Sequence, residues 1–184
     1  MRAVYSTRKT KEDIYKIVIA STELTKTKTG GLIVIERDIN ISDIIESGVK
    51  IDSDVSPQLI VNLFTPNTPL HDGAVIISNN KIAAAACILP LADDKEIAKE
   101  IGTRHRAGIG ISKESDAIAI IVSEETGKIS VAIDGNLIAD VKEEALKNIL
   151  IKYMINKRFA VERNRRVKKL KIKKENKQKQ NEEH

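Results

Sequence analysis

The stretch GAVIISNNKIAAAACIL, residues 73–89, predicts two β-strands joined by a tight turn. The turn is Asn79-Asn80, because Asn tolerates the positive φ angles that two-residue hairpins require. The first strand runs from Gly73 to Ser78 and the second from Ile82 to Leu89. The second strand contains four consecutive alanines, and side chains this small indicate that a helix or a ligand packs closely against it.

Helical and strand patterns follow one another irregularly on either side of this hairpin. A capping-box-like start at Thr10-x-x-Asp13 predicts a first helix that Thr29-Gly30-Gly31 ends, and the β-branched run Leu32–Ile35 predicts a buried strand. The other predicted elements are a short helix at 42–47, a helix capped by Ser56 with Pro57 at its first position, a helix from Asp93 to Ile101 with Gly102 as its C-terminal cap, strands at 117–122 and 128–133, and a helix at 141–155. Because there is no strict βαβ alternation, we predict an α/β fold of the α+β type, a mixed sheet covered by helices.

Composition narrows the class of protein. The chain has 184 residues, 41% of them hydrophobic, which suits one domain with an aliphatic core. With three Tyr, two Phe and no Trp, it lacks the aromatic surfaces on which RNA-binding modules stack bases. A single Cys excludes an intramolecular disulfide and a Cys-based zinc site, and favours a reducing compartment. No apolar run approaches the roughly 18 residues of a membrane span, and the polar sequence after Met1 does not resemble a signal peptide.

The positive charge is concentrated at the C-terminus. Residues 157–184 contain 12 Lys or Arg and four Asp or Glu, whereas residues 1–156 contain 19 and 22. The net charge of +5 therefore does not describe the body, which is mildly acidic, and we expect no specific nucleic-acid partner. We predict a body at 10–156, an N-terminal segment at 1–9 with no fold of its own, and a disordered basic tail at 157–184.

Three polar islands between the apolar elements contain the side chains suited to chemistry. The first, Asn67–Ala74, places His71 beside Asp72 at the entry to a strand. Both side chains can bind a divalent metal, the carboxylate can act as a base, and Gly73 lets a ligand approach the backbone. By itself, however, an Asp-Gly pair is more often a turn than a site.

The other two islands add phosphate-binding groups and carboxylates. Gly102–Gly108 places Arg104, His105 and Arg106 in succession; Arg binds phosphate oxygens bidentately, although a solvated basic loop explains the pattern equally well. Ser123–Gly127 has two adjacent carboxylates at a predicted hairpin tip, for which a polar turn is the simpler explanation. Taken together, the islands suit a polyanion carried with a divalent cation, such as a nucleoside triphosphate.

The same residues resemble a known family. Leu70–Ala74 and Gly102–Arg106 resemble the paired Asp-Gly-Ala and Arg-His-Arg motifs of the diadenylate cyclase domain, and Ser123–Gly127 resembles a third motif of that family. The resemblance covers residues 10–155 and is closest to the catalytic domain of the membrane-bound branch. It implies a central mixed sheet of about seven strands flanked by helices. It also implies an enzyme that condenses two ATP into cyclic di-AMP, releases two pyrophosphates and uses Mn²⁺, Mg²⁺ or Co²⁺.

The resemblance further implies a role for each residue that matches a family motif. Asp72 would activate or position the attacking 3′-hydroxyl and contact the metal, and Arg106 would also support its loop. The complete set implied is Asp72, Arg104 and His105 as catalytic residues, His71, Asp72 and Glu125 as metal ligands, and Gly73, Ala74, Leu89, Thr103, Arg104, His105, Arg106, Ser123 and Glu124 as nucleotide-binding residues.

The chemistry of the implied reaction also requires a partner. Each 3′-hydroxyl attacks the α-phosphorus of the other nucleotide, so two sites must face each other across a two-fold homodimer. By resemblance to the membrane-bound branch, a membrane-bound regulator and a phosphoglucosamine mutase are further partners. That branch has transmembrane helices before its first domain helix, so we expect a cytoplasmic catalytic domain anchored through an upstream segment absent from this chain. Many of its members have an aromatic residue that can stack on adenine where this chain has Ile88.

Two other functions compete with this interpretation. A catalytically silent sensor of ATP or cyclic di-AMP would share the fold, but the intact Asp72, Arg104 and His105 argue against it. A binder of nucleic acid or anionic membrane would act through residues 157–184, so deleting that tail should remove such binding and leave cyclisation. Cys87 lies in an apolar strand and is expected to be a buried core residue, not a nucleophile.

Overall fold

The computed structural model describes residues 2–92 and 101–156. Residues 93–100, on which the predicted helix from Asp93 rests, and the basic tail lie outside the described residues. The elements are, in order, α1 (Arg2–Lys26), β1 (Gly31–Ile35), α2 (Ser42–Glu46), β2 (Val49–Asp54), α3 (Pro57–Leu63), β3 (Ala74–Ser78), β4 (Lys81–Cys87), α4 (Thr103–Glu114), β5 (Ile118–Val122), β6 (Ile129–Ile133), β7 (Asn136–Ile138) and α5 (Glu143–Ile151), which continues into a π-helical turn at Lys152–Asn156. None of the described helices has both the length and the apolar composition needed to cross a membrane.

The strands form one mixed sheet. Its seven strands lie in the order β2-β4-β3-β1-β5-β6-β7. The central pair, β1 and β3, is parallel, and every other neighbouring pair is antiparallel. This architecture confirms the fold class predicted from the sequence and the seven strands implied by the resemblance.

Helices cover both faces of the sheet, because the central strands are apolar on both sides. On one face, Ile33 and Ile35 of β1 pack with residues of α1, α3 and α5. On the other face, Leu32 and Val34 pack with α4 and with the partly buried residues of α2. The alternation follows the two-residue period of a strand, and it produces three layers.

The hairpin of β3 and β4 has the predicted turn. Asn79 and Asn80 have φ angles of 50° and 62°, as a two-residue turn of this type requires. The alanine run is in close contact with backbone: a Cβ built on Gly48, just before β2, would overlap the carbonyl oxygen of Ala85. Ile44 and Ile45 of α2 pack against the cluster that contains Ala84 and Cys87, so a helix and the turn after it lie beside this part of β4.

The first helix is longer than predicted. It begins at Arg2, so residues 2–9 are helical and not a segment without a fold of its own. Thr10, predicted near the N-terminal cap, lies in the helix interior with 4% of its surface exposed. Its hydroxyl accepts a hydrogen bond from Asn80 Nδ2 at 3.3 Å. A residue type that favours the N-terminal cap can lie inside a helix when its side chain has a tertiary hydrogen-bond partner.

Three elements, β2, α4 and the short strand β7, were not predicted. The edge strand β2 alternates between exposed and half-buried positions, so its sequence lacks the continuous apolar run of the central strands. The helix α4 begins directly after Gly102, which is therefore its N-terminal cap residue, with φ −70° and ψ 170°. The prediction that Gly102 caps the C-terminus of a preceding helix is corrected accordingly, since its backbone is extended and not left-handed. The second polar island is the first turn of a helix, not a loop.

Candidate functional site

The sheet topology brings the three polar islands to one end of the sheet. The parallel strands β1 and β3 both begin there, with Ile33 opposite Val75. The antiparallel neighbours β5 and β4 end there, with Val122 opposite Gly31 and Cys87 opposite Ala74. The Asp-Gly-Ala island precedes β3 and the acidic turn follows β5, so they lie at the same end of the sheet.

The Asp-Gly-Ala island is tightly built around its glycine. Gly73 has a φ of +108°, and a Cβ there would lie 2.8 Å from the carbonyl carbon of Ala86 and 2.8 Å from the carbonyl oxygen of Cys87. Only glycine satisfies both constraints. The next residue, Ala74, is fully buried as the first residue of β3, whereas Asp72 is exposed. The Asp72 carboxylate is therefore exposed to solvent, while the residues that follow it are tightly packed.

His71 is held in one tautomer. Its Nδ1 atom lies 2.7 Å from the carbonyl oxygen of Thr68. Because a carbonyl only accepts hydrogen bonds, Nδ1 carries the proton and the lone pair lies on Nε2 in the neutral ring. This arrangement, a histidine oriented through its other nitrogen, is the one that metal-ligating histidines use.

Arg104 connects the second island to the third. Its Nη1 atom donates to Glu124 Oε2 at 3.1 Å, and only 24% of the Arg104 side chain is exposed. Arg104 and Thr103 occupy the first turn of α4, where unpaired backbone N–H groups and the helix dipole favour anions. The guanidinium also lies directly against Gly30, immediately before β1, because a Cβ there would overlap it.

His105 and Arg106, the next two residues of α4, lie in different environments. Burial, aided by the Arg104 charge, lowers the pKa of His105, so its imidazole is neutral at physiological pH. The Arg106 side chain donates from Nε to the carbonyl oxygen of Ala92 at 3.4 Å, and its backbone carbonyl accepts from the backbone N–H of Ala92 at 3.1 Å. In this structure Arg106 therefore supports the segment after β4, which contains the buried Leu89 and the 72%-exposed Ile88.

The acidic turn is ordered by its own serine. Ser123 Oγ accepts hydrogen bonds from the backbone N–H groups of Glu125 and Thr126, at 3.3 and 3.2 Å. The backbone N–H of Gly127 donates to the Ser123 carbonyl at 2.9 Å. Both carboxylates of this turn are exposed, so Ser123 shapes a turn from which Glu124 and Glu125 project.

Comparisons with known proteins identify the family. The profile of a family described as "DAC: DisA bacterial checkpoint controller nucleotide-binding" matches residues 18–137. The chain belongs to the DAC family. Its matched region contains all three islands of this DAC domain, and the resemblance drawn from the motifs is confirmed.

Curated relatives carry the names of cyclases. The DAC domain is 53% identical to "Cyclic di-AMP synthase CdaA" of Bacillus subtilis over 137 residues, 74% of this chain and 50% of that protein. It is 52% identical to a "Diadenylate cyclase" of Listeria monocytogenes over 132 residues, 72% of this chain and 48% of that protein. The chain spans about half the length of these curated relatives.

Solved structures agree with the fold. DacA from Staphylococcus aureus, crystallised as a double mutant, superimposes with a TM-score of 0.76 at 46% identity, covering 78% of this chain and 96% of that one. A protein from Bacillus cereus described as a hypothetical membrane spanning protein superimposes with a TM-score of 0.65 at 44% identity, covering 67% and 61%.

The predicted metal ligands of the DAC domain do not form one cluster. Among the residues that the structure describes, no group of three or more His, Cys, Asp or Glu side chains is placed to hold a metal ion. The reason is the strand order: Asp72 precedes β3 and Glu125 follows β5, and β1 separates these two strands by about 10 Å. The donors themselves, an imidazole and carboxylates, suit the divalent cation that this family of nucleotidyltransferases implies.

Two glycines of the site were not predicted as functional. Gly30 was interpreted only as the end of the first helix, yet it borders Arg104. Gly110, on α4, lies against the carbonyl oxygen of Pro90, where a Cβ would overlap it. The available signal was the Gly108-x-Gly110 spacing, since glycine weakens a helix interior and is retained there for close packing.

Proposed function

We propose that this DAC domain condenses two ATP molecules into cyclic di-AMP and releases two pyrophosphates. The observation that carries the proposal is the convergence of Asp72, Arg104 and the acidic turn at one end of the sheet. That end of the sheet supplies the exposed Asp72 carboxylate and the Arg104 guanidinium, which Glu124 holds at 3.1 Å, and a nucleotidyl transfer requires both kinds of group. The names of the relatives at 52–53% identity support the same conclusion.

The reaction is a balanced displacement carried out twice. The 3′-oxygen of one nucleotide forms a bond to the α-phosphorus of the other, and the bond from that phosphorus to the bridging oxygen of pyrophosphate breaks. The 3′-hydroxyl proton leaves to a base, for which the exposed Asp72 carboxylate is the candidate. Rate enhancement then depends on in-line alignment more than on covalent chemistry by the protein.

The first turn of α4 is proposed to bind the phosphates. Arg104 supplies a permanent positive charge, and the Thr103 hydroxyl and the free N–H groups of the helix supply neutral donors. His105, neutral because burial lowers its pKa, donates a hydrogen bond without adding charge. Gly73, Ala74 and Leu89 line the nucleoside side, with Ile88 exposed beside them. Arg106 contributes indirectly, through Ala92.

A divalent cation, Mn²⁺, Mg²⁺ or Co²⁺, is proposed to bind His71 through Nε2 together with Asp72 and Glu125. A bound cation supplies charge neutralisation at the triphosphate. Because Asp72 precedes β3 and Glu125 follows β5, two positions away in the sheet, we propose that a second chain and the phosphates complete the ligand set. Ser123 keeps the turn of Glu124 and Glu125 in shape.

The product has two-fold symmetry, so we propose that the active form is a homodimer with two sites facing each other. A membrane-bound regulator, a phosphoglucosamine mutase and anchoring by a segment outside this chain are proposed by family resemblance. The name of the Bacillus cereus neighbour, a hypothetical membrane spanning protein, supports anchoring of that protein.

The test is incubation of the purified chain with ATP and Mn²⁺, followed by mass-resolved chromatography for cyclic di-AMP. We expect product from the wild type and none from Asp72→Asn. The matched control is Asp52→Asn, an exposed carboxylate on the edge strand β2 beside Lys81, at the opposite end of the sheet. Product from Asp72→Asn would remove Asp72 from the mechanism.

Protein concentration separates the remaining explanations. A wild type that binds ATP but gives no product is either a silent nucleotide sensor or a chain that does not dimerise under the assay conditions. Repeating the assay at tenfold higher protein concentration should restore specific activity only in the second case, because dimer formation follows mass action.

A further inference from the structure

The backbone conformation of Gly30 does not require a glycine. Among the described residues, the glycines with positive φ are Gly73, Gly127 and Gly135, so Gly30 lies in a region that any residue can adopt. It is buried immediately before β1. The reason for a glycine here must therefore be the space that a side chain would fill.

That space is filled by the Arg104 guanidinium. A Cβ on Gly30 would lie 2.7 Å from Arg104 Cζ and 3.1 Å from Nη2, and would overlap Nη1. Real Cβ atoms do not approach other atoms so closely, so an alanine here forces the guanidinium to move. The same Nη1 atom donates to Glu124 Oε2 at 3.1 Å. Gly30 and Glu124 thus both border the head of Arg104.

The neighbouring Gly31 faces a different environment. A Cβ on Gly31 would lie 3.0 Å from Leu24 Cδ1 and 3.5 Å from Phe64 Cδ2, both in the hydrophobic core. The two adjacent glycines therefore have different neighbours: Gly31 borders the core beneath α1 and α3, and Gly30 borders the charged group of the site.

We propose that Gly30 is a positioning residue for Arg104, resting on the proposed function in which Arg104 binds the nucleotide phosphates. Its missing side chain sets where the guanidinium lies relative to the first turn of α4. Because a guanidinium is the far end of a flexible side chain, Gly30→Ala displaces it at little cost to folding. The substitution should therefore damage phosphate binding while leaving the domain folded.

The experiment measures binding of 3′-deoxy-ATP with Mn²⁺ by calorimetry, since this nucleotide keeps the triphosphate but lacks the nucleophile. We expect Gly30→Ala to weaken its affinity at least about tenfold, the size of one lost charge-assisted hydrogen bond. Gly31→Ala should instead change the unfolding temperature and leave the affinity within about twofold.

A double-mutant cycle shows whether Gly30 acts through Arg104. In an Arg104→Ala background the effect of Gly30→Ala on affinity should disappear, because no guanidinium remains to be displaced. An equal loss in both backgrounds, or full affinity in Gly30→Ala, would overturn the proposal. The cyclisation assay on the wild type is read separately. Binding without product, even at tenfold higher protein concentration, would refute only the proposed function, whereas a wild type that binds no nucleotide would refute both.

Discussion

The carbonyl of Pro90 lies so close to Gly110 that a Cβ on the glycine would overlap its oxygen and approach its carbon to 2.8 Å. The backbone nitrogen of Ala92 would be 3.2 Å away. The segment that follows β4 therefore lies directly on α4, and Arg106, one turn earlier on the helix, is hydrogen-bonded to the same segment at Ala92. A helix glycine and an arginine together position the chain that contains Leu89.

Gly110→Ala should destabilise the domain, in contrast to Gly30→Ala. The atoms in the way are backbone atoms that cannot swing aside, so we expect a loss of about 1–3 kcal/mol in the free energy of unfolding. Urea titration measures it, and nucleotide affinity should fall as well because Leu89 shifts. The control is Gly102→Ala, at the cap residue of the same helix, where a Cβ meets none of the described residues within 4 Å. Equal stabilities of Gly110→Ala and wild type would show that the segment relaxes freely.

Ile88→Tyr should tighten ATP binding without changing stability. The Ile88 side chain is 72% exposed next to the proposed nucleoside site, so an aromatic ring has room there. Stacking of a base on an aromatic ring contributes about 1–3 kcal/mol, which corresponds to roughly a tenfold lower KM for ATP. The matched control is Leu91→Tyr, at a neighbouring residue that is 46% exposed. If both variants tighten binding equally, the effect is not specific to position 88.

Asp13 makes stability depend on pH. It is 4% exposed, and burial raises its pKa from 3.8, against the opposing effects of the Asn80 hydrogen bond and of the Lys9 and Lys16 charges; Asp54 adds to the rise. The folded state then keeps the proton to higher pH than the unfolded state. The resulting stabilisation is complete below pH 3.8 and is lost as pH rises through the folded-state pKa.

Asp13→Asn removes this dependence, and Asn at position 13 can still accept from Asn80. We expect the variant to be more stable than wild type near pH 7, with the difference vanishing toward pH 3.5, as urea midpoints would record. Asp140→Asn serves as the opposite case, because Lys142 lowers the pKa of Asp140 and its stabilisation is lost as pH falls. A constant difference between Asp13→Asn and wild type at all pH values would contradict the prediction.

Cys87 should resist alkylation in the folded protein. Burial raises its pKa to about 11, so at pH 8 only about one thiol in a thousand is ionised. Because the thiolate is the reactive form, iodoacetamide should label Cys87 slowly in buffer and completely in denaturant, as intact-mass spectrometry would show. Rapid labelling of the native chain would mean that β4 opens at its end.

Local sequence signals predicted much of the fold because short-range rules decide those elements. Ser56 caps α3, accepting from the backbone N–H of Leu59 at 3.3 Å, with Pro57 at the first helical position as predicted. The Asn79-Asn80 turn has the positive φ angles that its two asparagines predict. Each of these features depends on residues within one turn of chain.

The elements that were missed are those whose identity depends on distant neighbours. β2 is a strand because β4 offers it an edge, with Val49 opposite Ala85. α4 contains Gly108 and Gly110, which weaken a helix, yet it forms because Gly108 fits against Ile121 and Gly110 against Pro90. In both cases tertiary packing overrides the local preference.

By itself, the sequence determined which chemical groups the site contains. They are an Asp-Gly-Ala motif before a strand, an Arg-His-Arg motif and an acidic turn that begins with a serine, in an order that indicates a diadenylate cyclase domain. Only the tertiary structure decided which of these groups meet. It joined Arg104 to Glu124 and to Gly30, kept Asp72 apart from Glu125, and turned Arg106 toward Ala92. The physical reason is that strand order and register come from non-local pairing and burial, which no short stretch of sequence specifies.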